Sequence, residues 1–268
     1  MSALRKNNVR VDGAGQQAML FAHGFGCDQG MWRFVEPSFR AGYRTVLFDH
    51  VGSGGADLAC YDPQRYDSLV QYADDVLDIC AELQLEQAVF VGHSVSAMIG
   101  VLAAIKQPQL FSRLVLVCPS PCYINDSDDG ATGYVGGFSR GDIAGLIDFL
   151  DDNFVAWSGA MAPTIMGNPE RPELGQELES SFCRTDPTCA RQFARVTFLS
   201  DNRPDLALLR TPALILQASE DAIAPPCVGD YLHQALRGST LVRMAARGHC
   251  PNLSAPQETV AAIHDYLR

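Results

Sequence analysis

The residues best suited to chemistry are Gly92-His93-Ser94-Val95-Ser96. They follow the apolar run Ala88-Val89-Phe90-Val91 and lead into the helical pattern Ala97 to Ala104. A strand, a sharp turn and a helix in that order lift one serine hydroxyl out of the backbone at the carboxyl end of a sheet. The pattern is nearly Gly-x-Ser-x-Gly; its last position is Ser96, which is small enough for the close strand–helix passage. A serine hydroxyl is a weak nucleophile, so it needs a base, and the base needs an orienting carboxylate. On this architecture the acid and then the histidine follow the serine along the chain. The run Ala218-Ser219-Glu220-Asp221-Ala222-Ile223-Ala224-Pro225 follows an apolar strand candidate and supplies the acid. Asp221 is favoured by its spacing before Pro225, with Glu220 as the alternative. Arg247-Gly248-His249-Cys250-Pro251 follows the next strand candidate and supplies the base, His249. His233 and His264 lie inside helical patterns, His50 precedes the serine, and His93 adjoins it on a different heading.

A tetrahedral intermediate also needs an oxyanion hole. His23-Gly24-Phe25-Gly26 follows an early strand candidate, and its glycines let the loop aim the Phe25 N–H at the serine turn. The second donor expected is the N–H of Val95. This chemistry needs no metal and no organic cofactor.

Positioning these groups at strand ends calls for a mostly parallel sheet. Strand candidates fall at 9–11, 18–22, 45–49, 88–91, 114–118, 213–217 and 241–244, several of them continuously apolar. Continuous apolar strands are those covered on both faces. Helical patterns occupy 68–83, 94–106, 225–236 and 256–267, which gives an α/β fold of alternating units. The alternation breaks between Pro119 and Thr211. That stretch reads as helices over 142–157, 172–183 and 187–199, with many aromatics, and is expected to be a lid inserted between two strands. The expected division is a core of 1–119 and 211–268 and a helical lid of 120–210. Asp126-Ser127-Asp128-Asp129-Gly130, near the start of the lid, is turn-forming.

The 268 residues are 47% hydrophobic and 19% charged, enough to bury a full core, and the net charge of −11 disfavours nucleic acid and anionic membranes as partners. No apolar run is long enough to span a bilayer, and residues 1–12 lack the apolar segment of a secretory signal. The nine cysteines form no C-x-x-C pair, so they are expected to be reduced thiols in a cytoplasmic protein rather than zinc ligands. Cys27 and Cys250 read as small packing residues. Gly52-Ser53-Gly54-Gly55-Ala56-Asp57 has the wrong spacing for a dinucleotide loop and no helix directly after it.

With these segments in place, the chain resembles the group of α/β-hydrolases that contains the bacterial stress regulator RsbQ and the plant karrikin and strigolactone receptors. The resemblance rests on His23-Gly24-Phe25-Gly26-Cys27-Asp28-Gln29, on Phe48-Asp49-His50-Val51-Gly52-Ser53-Gly54, and on Val91 through Gly100. It continues in Ser120 through Asp126, Phe182 through Pro187, and Arg247 through Pro251. It covers nearly the whole chain, and a serine at position 96 is itself common in that group. The stretch Ser127–Val135 is longer and more polar than usual there. The resemblance implies Ser94, His249 and Asp221 as a triad, Phe25 and Val95 as oxyanion donors, and a four-helix lid over a small apolar pocket. It implies pocket walls at Phe25, Tyr123, Phe138, Leu146, Trp157, Met161 and Phe198. It further implies hydrolysis of a small apolar ester or butenolide-type lactone through an acyl-enzyme. The alternative is a signalling role in which a slowly hydrolysed ligand is coupled to a protein partner, a phosphatase in the bacterial relatives.

Overall fold

The computed structural model describes residues 2–268. Seven strands among them form one sheet: β1 (Arg10–Asp12), β2 (Ala18–Ala22), β3 (Arg44–Phe48), β4 (Ala88–His93), β5 (Phe111–Val117), β6 (Ala213–Gln217) and β7 (Thr240–Arg243). Their spatial order is β1-β3-β2-β4-β5-β6-β7. Only β1 runs antiparallel to its neighbour; the other pairings are parallel. The helices are α1 (Ala3–Lys6), α2 (Leu69–Glu82), α3 (Val95–Lys106), α4 (Arg140–Asp152), α5 (Phe154–Met166), α6 (Pro172–Arg184), α7 (Pro187–Phe198), α8 (Pro226–Ala235), α9 (Pro251–Ser254) and α10 (Pro256–Leu267).

Side chains alternate between the two faces of the sheet. Leu20, Ala22, Phe90, Leu114 and Ile215 join one core with residues of α2, α3 and α8. Met19, Phe21, Val91, Val115 and Leu216 join the other, with Trp32, Phe39, Ile263 and most of the buried lid side chains. Both faces are covered, which is why the central strands read as continuous apolar runs. Helix α3 lies directly behind β4 and is buried from Val95 to Ala104, so it carries no polar stripe.

Between β5 and β6, which are sheet neighbours, the chain builds the helical lid α4–α7. The continuous helix expected over 142–157 is two helices. Asn153 leaves the helical region (φ −152°, ψ 84°), and its side chain accepts the N–H of Ala156, capping the start of α5. Capping by asparagine competes with helix continuation, and here it wins. A reciprocal Ser139–Asp142 capping box starts α4. The polar stretch before α4 is stapled down. Asp126 accepts the N–H of Tyr134, the Tyr134 hydroxyl donates to the Cys122 carbonyl, and Arg203 pairs with Asp126 and Asp201.

Candidate active site

Ser94, Asp221 and His249 lie 127 and 28 residues apart in sequence and meet above the carboxyl ends of β4, β6 and β7. This is where the strand order reverses direction about β2, the usual ligand crevice of a parallel sheet. Ser94 stands between β4 and α3 with φ 55° and ψ −123°, a conformation that costs on the order of 1–3 kcal/mol for a non-glycine residue. The turn is held by the Ser94 N–H donating to Val117 O at 2.8 Å. It also requires Gly92, whose Cβ would sit 2.5 Å from the Ser96 carbonyl oxygen. Gly248 meets a similar constraint at the histidine loop. Its φ is 82°, and a Cβ there would lie 1.8 Å from Met166 O. The His249 N–H donates to Ile165 O, so the end of lid helix α5 sets the height of the imidazole.

His249 Nε2 lies 2.7 Å from Ser94 Oγ, and Nδ1 lies 2.7 Å from Asp221 Oδ2. All three residues are buried. Asp221 Oδ1 accepts the N–H groups of Ile223 and Ala224. Burial alone would push the Asp221 carboxyl up, but His249 and those two N–H groups outweigh it and hold it below the ordinary aspartate range. An ionised Asp221 requires the proton on Nδ1 of His249, which leaves Nε2 free to take the serine proton. Glu220 is exposed on the far side of that loop; its carbonyl accepts the Gly248 N–H.

The N–H groups of Phe25 and Val95 have no hydrogen-bond partner among the described residues. Val95 opens α3, so the positive end of that helix dipole also faces the site. His93 turns away from Ser94, and its Nε2 lies 2.7 Å from His249 O, which makes it a donor that braces the histidine loop. Burial, then His249, pushes its pKa down to about 3, so it stays neutral.

Three residues behind the nucleophile form a network that their spacing in the sequence did not reveal. His50 Nε2 meets Ser96 Oγ at 2.7 Å, and Ser96 Oγ donates to His23 O at 2.5 Å. The His50 N–H donates to His23 Nε2, and His23 Nδ1 then donates to Gly24 O. Each link fixes the tautomer of the next. Ser96 thus ties the elbow helix to the loop that carries Phe25. The sequence signal for it was the serine at the usual glycine position.

The reactive groups open into a narrow cavity of about 30 Å³. Of the expected walls, Phe25, Tyr123 and Phe198 line it. Trp157 packs edge-on against Phe25 at 6.0 Å. Phe138, Leu146 and Met161 are half-buried against the same core and do not reach the cavity. Ile165, Leu178 and Phe182 of the lid, with Cys27, Ile223 and Cys250, complete the apolar lining. The Tyr123 hydroxyl is buried against the Ser94 side chain, and Thr197 Oγ1 is buried without a hydrogen-bond partner among the described residues. Burial pushes the Cys27 thiol up to about 12 and Cys250 well up, so neither offers a competing thiolate. Cys118, Asp221 and His249 hold ligand atoms within 4.8 Å of one another. Two of the three are already committed to each other, and burial keeps the Cys118 thiol protonated.

The sequence matches the Alpha/beta hydrolase family over residues 19–263. It is 38% identical over 258 residues to Karrikin insensitive 2 receptor CA of Petunia hybrida, covering 96% of this chain and 94% of that protein. It is 38% identical over 262 residues to Strigolactone esterase D14 of Arabidopsis thaliana, covering 97% and 94%. The fold superposes on a hydrolase from Oleispira antarctica with a TM-score of 0.94 and 39% identity, covering 99% of this chain and 96% of that one. A buried Ser–His–Asp relay on this sheet, with these relatives along nearly its whole length, means that the chain belongs to the alpha/beta hydrolase family, among the karrikin- and strigolactone-receptor-like hydrolases.

Proposed function

We propose that this hydrolase cleaves a small apolar ester or butenolide-type lactone through an acyl-enzyme on Ser94. The observation that carries the reading is the unbroken hydrogen-bond chain Ser94–His249–Asp221 at 2.7 Å per link. Ser94 Oγ attacks the carbonyl carbon while His249 Nε2 takes its proton, and Asp221 stabilises the imidazolium. The carbonyl oxygen gains the negative charge and turns to the N–H groups of Phe25 and Val95. Collapse breaks the bond to the alkoxide oxygen, which takes the proton from His249. In a lactone that oxygen stays tethered. Water then attacks the acyl carbon with His249 again as base, and the ester bond to Ser94 Oγ breaks as His249 returns that proton to the departing serine oxygen.

The apolar walls favour an uncharged ligand, and the Tyr123 hydroxyl beside Ser94 and the unpartnered Thr197 hydroxyl are two polar groups available to orient it. In this reading residues 120–210 act as the lid that excludes water. A serine-directed fluorophosphonate should add one adduct at Ser94 by intact mass, and Ser94→Ala should abolish both adduct and ester hydrolysis. Full hydrolysis of a chromogenic acetate ester by Ser94→Ala would overturn the assignment.

The similarity to a protein named Karrikin insensitive 2 receptor supports a second reading, in which ligand turnover is slow and coupled to a protein partner. A measured turnover number separates the two. Fast multiple turnover with no ligand-dependent capture of a partner favours the plain hydrolase.

A further inference from the structure

The catalytic cavity is narrow beside Ser94. About 30 Å³ is room for two or three water molecules, since a site of roughly 10–15 Å³ holds one. A substrate with its carbonyl at Ser94 and a long arm therefore needs room beyond this cavity. One wall is thin. Cys27 and Leu178 line both the catalytic cavity and a second cavity of about 150 Å³ on the seam between lid and core. Met31 and Leu253 make the rest of its apolar lining, and both are buried. At its rim two ion pairs bridge the seam, Arg33 with Glu177 at 2.7 Å and Arg184 with Asp28 at 3.1 Å. These charges neutralise each other, so the rim favours neither an anion nor a cation. Leu178 belongs to lid helix α6 and is a single buried side chain shared by the walls of both cavities. Cys27 sits two residues beyond the Phe25 oxyanion donor.

We propose that the seam cavity is a second subsite of the active site, which takes an unbranched, uncharged alkyl arm of the ester or lactone, and that Leu178 is the partition that limits arm length. The inference rests on the hydrolase reading above. In the closed position Leu178 confines substrates to short arms; swung aside, it joins the two cavities into one slot that runs from Ser94 to the ion-paired rim.

The test is a chain-length series run in two directions, p-nitrophenyl esters from acetate to octanoate and alkyl acetates from ethyl to octyl. For the wild type kcat/KM should fall with length. Leu178→Ala should raise the eight-carbon to two-carbon ratio about tenfold or more in one series, and that series identifies which arm lies in the slot. Ser181→Phe, which crowds the seam cavity from its rim, should cancel the gain in the Leu178→Ala background. If Leu178→Ala does not fold, Leu178→Val removes one methylene and should raise the ratio about fourfold. An unchanged ratio in both series overturns the subsite while leaving the hydrolase intact. If the wild type cleaves no ester at all, the hydrolase reading fails instead. Labelling rates at Ser94 with ethyl and octyl fluorophosphonates then still report whether Leu178→Ala admits the longer arm.

Discussion

At the scale of single residues, each catalytic group is held in one orientation by its neighbours, and Asp221 is held ionised. Asp221 uses one oxygen for His249 and the other for two backbone N–H groups, so its carboxylate cannot rotate away. Asp221→Asn keeps those backbone bonds and turns an amide toward His249 Nδ1. The imidazole must then carry its proton on Nε2, facing Ser94, and can no longer accept the serine proton. The expected result is a fall in kcat of about 10⁴-fold with KM little changed and the fold intact, read by steady-state kinetics and a melting curve. A loss of less than tenfold would show that the carboxylate does not set the tautomer.

At the scale of elements, the site is assembled from the loops after β2, β3, β4, β6 and β7, and something must hold those loops in mutual register. Ser96 does this for three of them at once, accepting from His50 and donating to the carbonyl of His23. All three residues are buried. Removing the hydroxyl with Ser96→Ala leaves the His50 Nε2 donor and the His23 carbonyl without partners. Stability should drop by about 1–3 kcal/mol, measured by urea unfolding. A change within a few tenths would mean that water replaces the hydroxyl there. The lid obeys the same logic of local competition. Its aromatic content and helical spacing were plain in the sequence, but the break at Asn153 was not. Nothing in the apolar stripe marks it, and the asparagine decides it by capping α5 with its own side chain.

At the scale of the whole molecule, the close packing that forms the site also buries histidines in a neutral state. Burial and then His249 lower His93 from 6.5 to about 3, and burial and then His23 lower His50 well below 6.5. In the unfolded chain both protonate near 6.5, so below that pH, down to about 3 for His93, the unfolded state binds protons that the native state refuses. Stability is full above this window and falls as pH drops through it, by up to about 1.4 kcal/mol per pH unit for each histidine. The urea midpoint should therefore be lower at pH 5 than at pH 7.5. His93→Gln, which keeps a donor for the His249 carbonyl, should reduce that slope by roughly half. A midpoint independent of pH over this range would contradict neutral burial of these residues.

The sequence by itself determined the central strands of a mostly parallel sheet, because strands buried on both faces must be continuously apolar. It also marked the elbow, since Gly92 and the small Ser96 are dictated by a close backbone passage, and it placed the histidine and acid loops in chain order. Those are local constraints, written in adjacent residues. Only the tertiary structure decided which acid faces His249, because Asp221 and Glu220 are neighbours and the turn alone sends one inward and the other to solvent. Only it joined His23, His50 and Ser96, which come from three different strand ends. The cavity walls were the least legible. Phe25, Tyr123 and Phe198 line the cavity, while Phe138, Leu146 and Met161 do not reach it. The angle at which α4–α7 cross the sheet selects among similar apolar side chains, and that angle depends on packing between elements far apart in the chain.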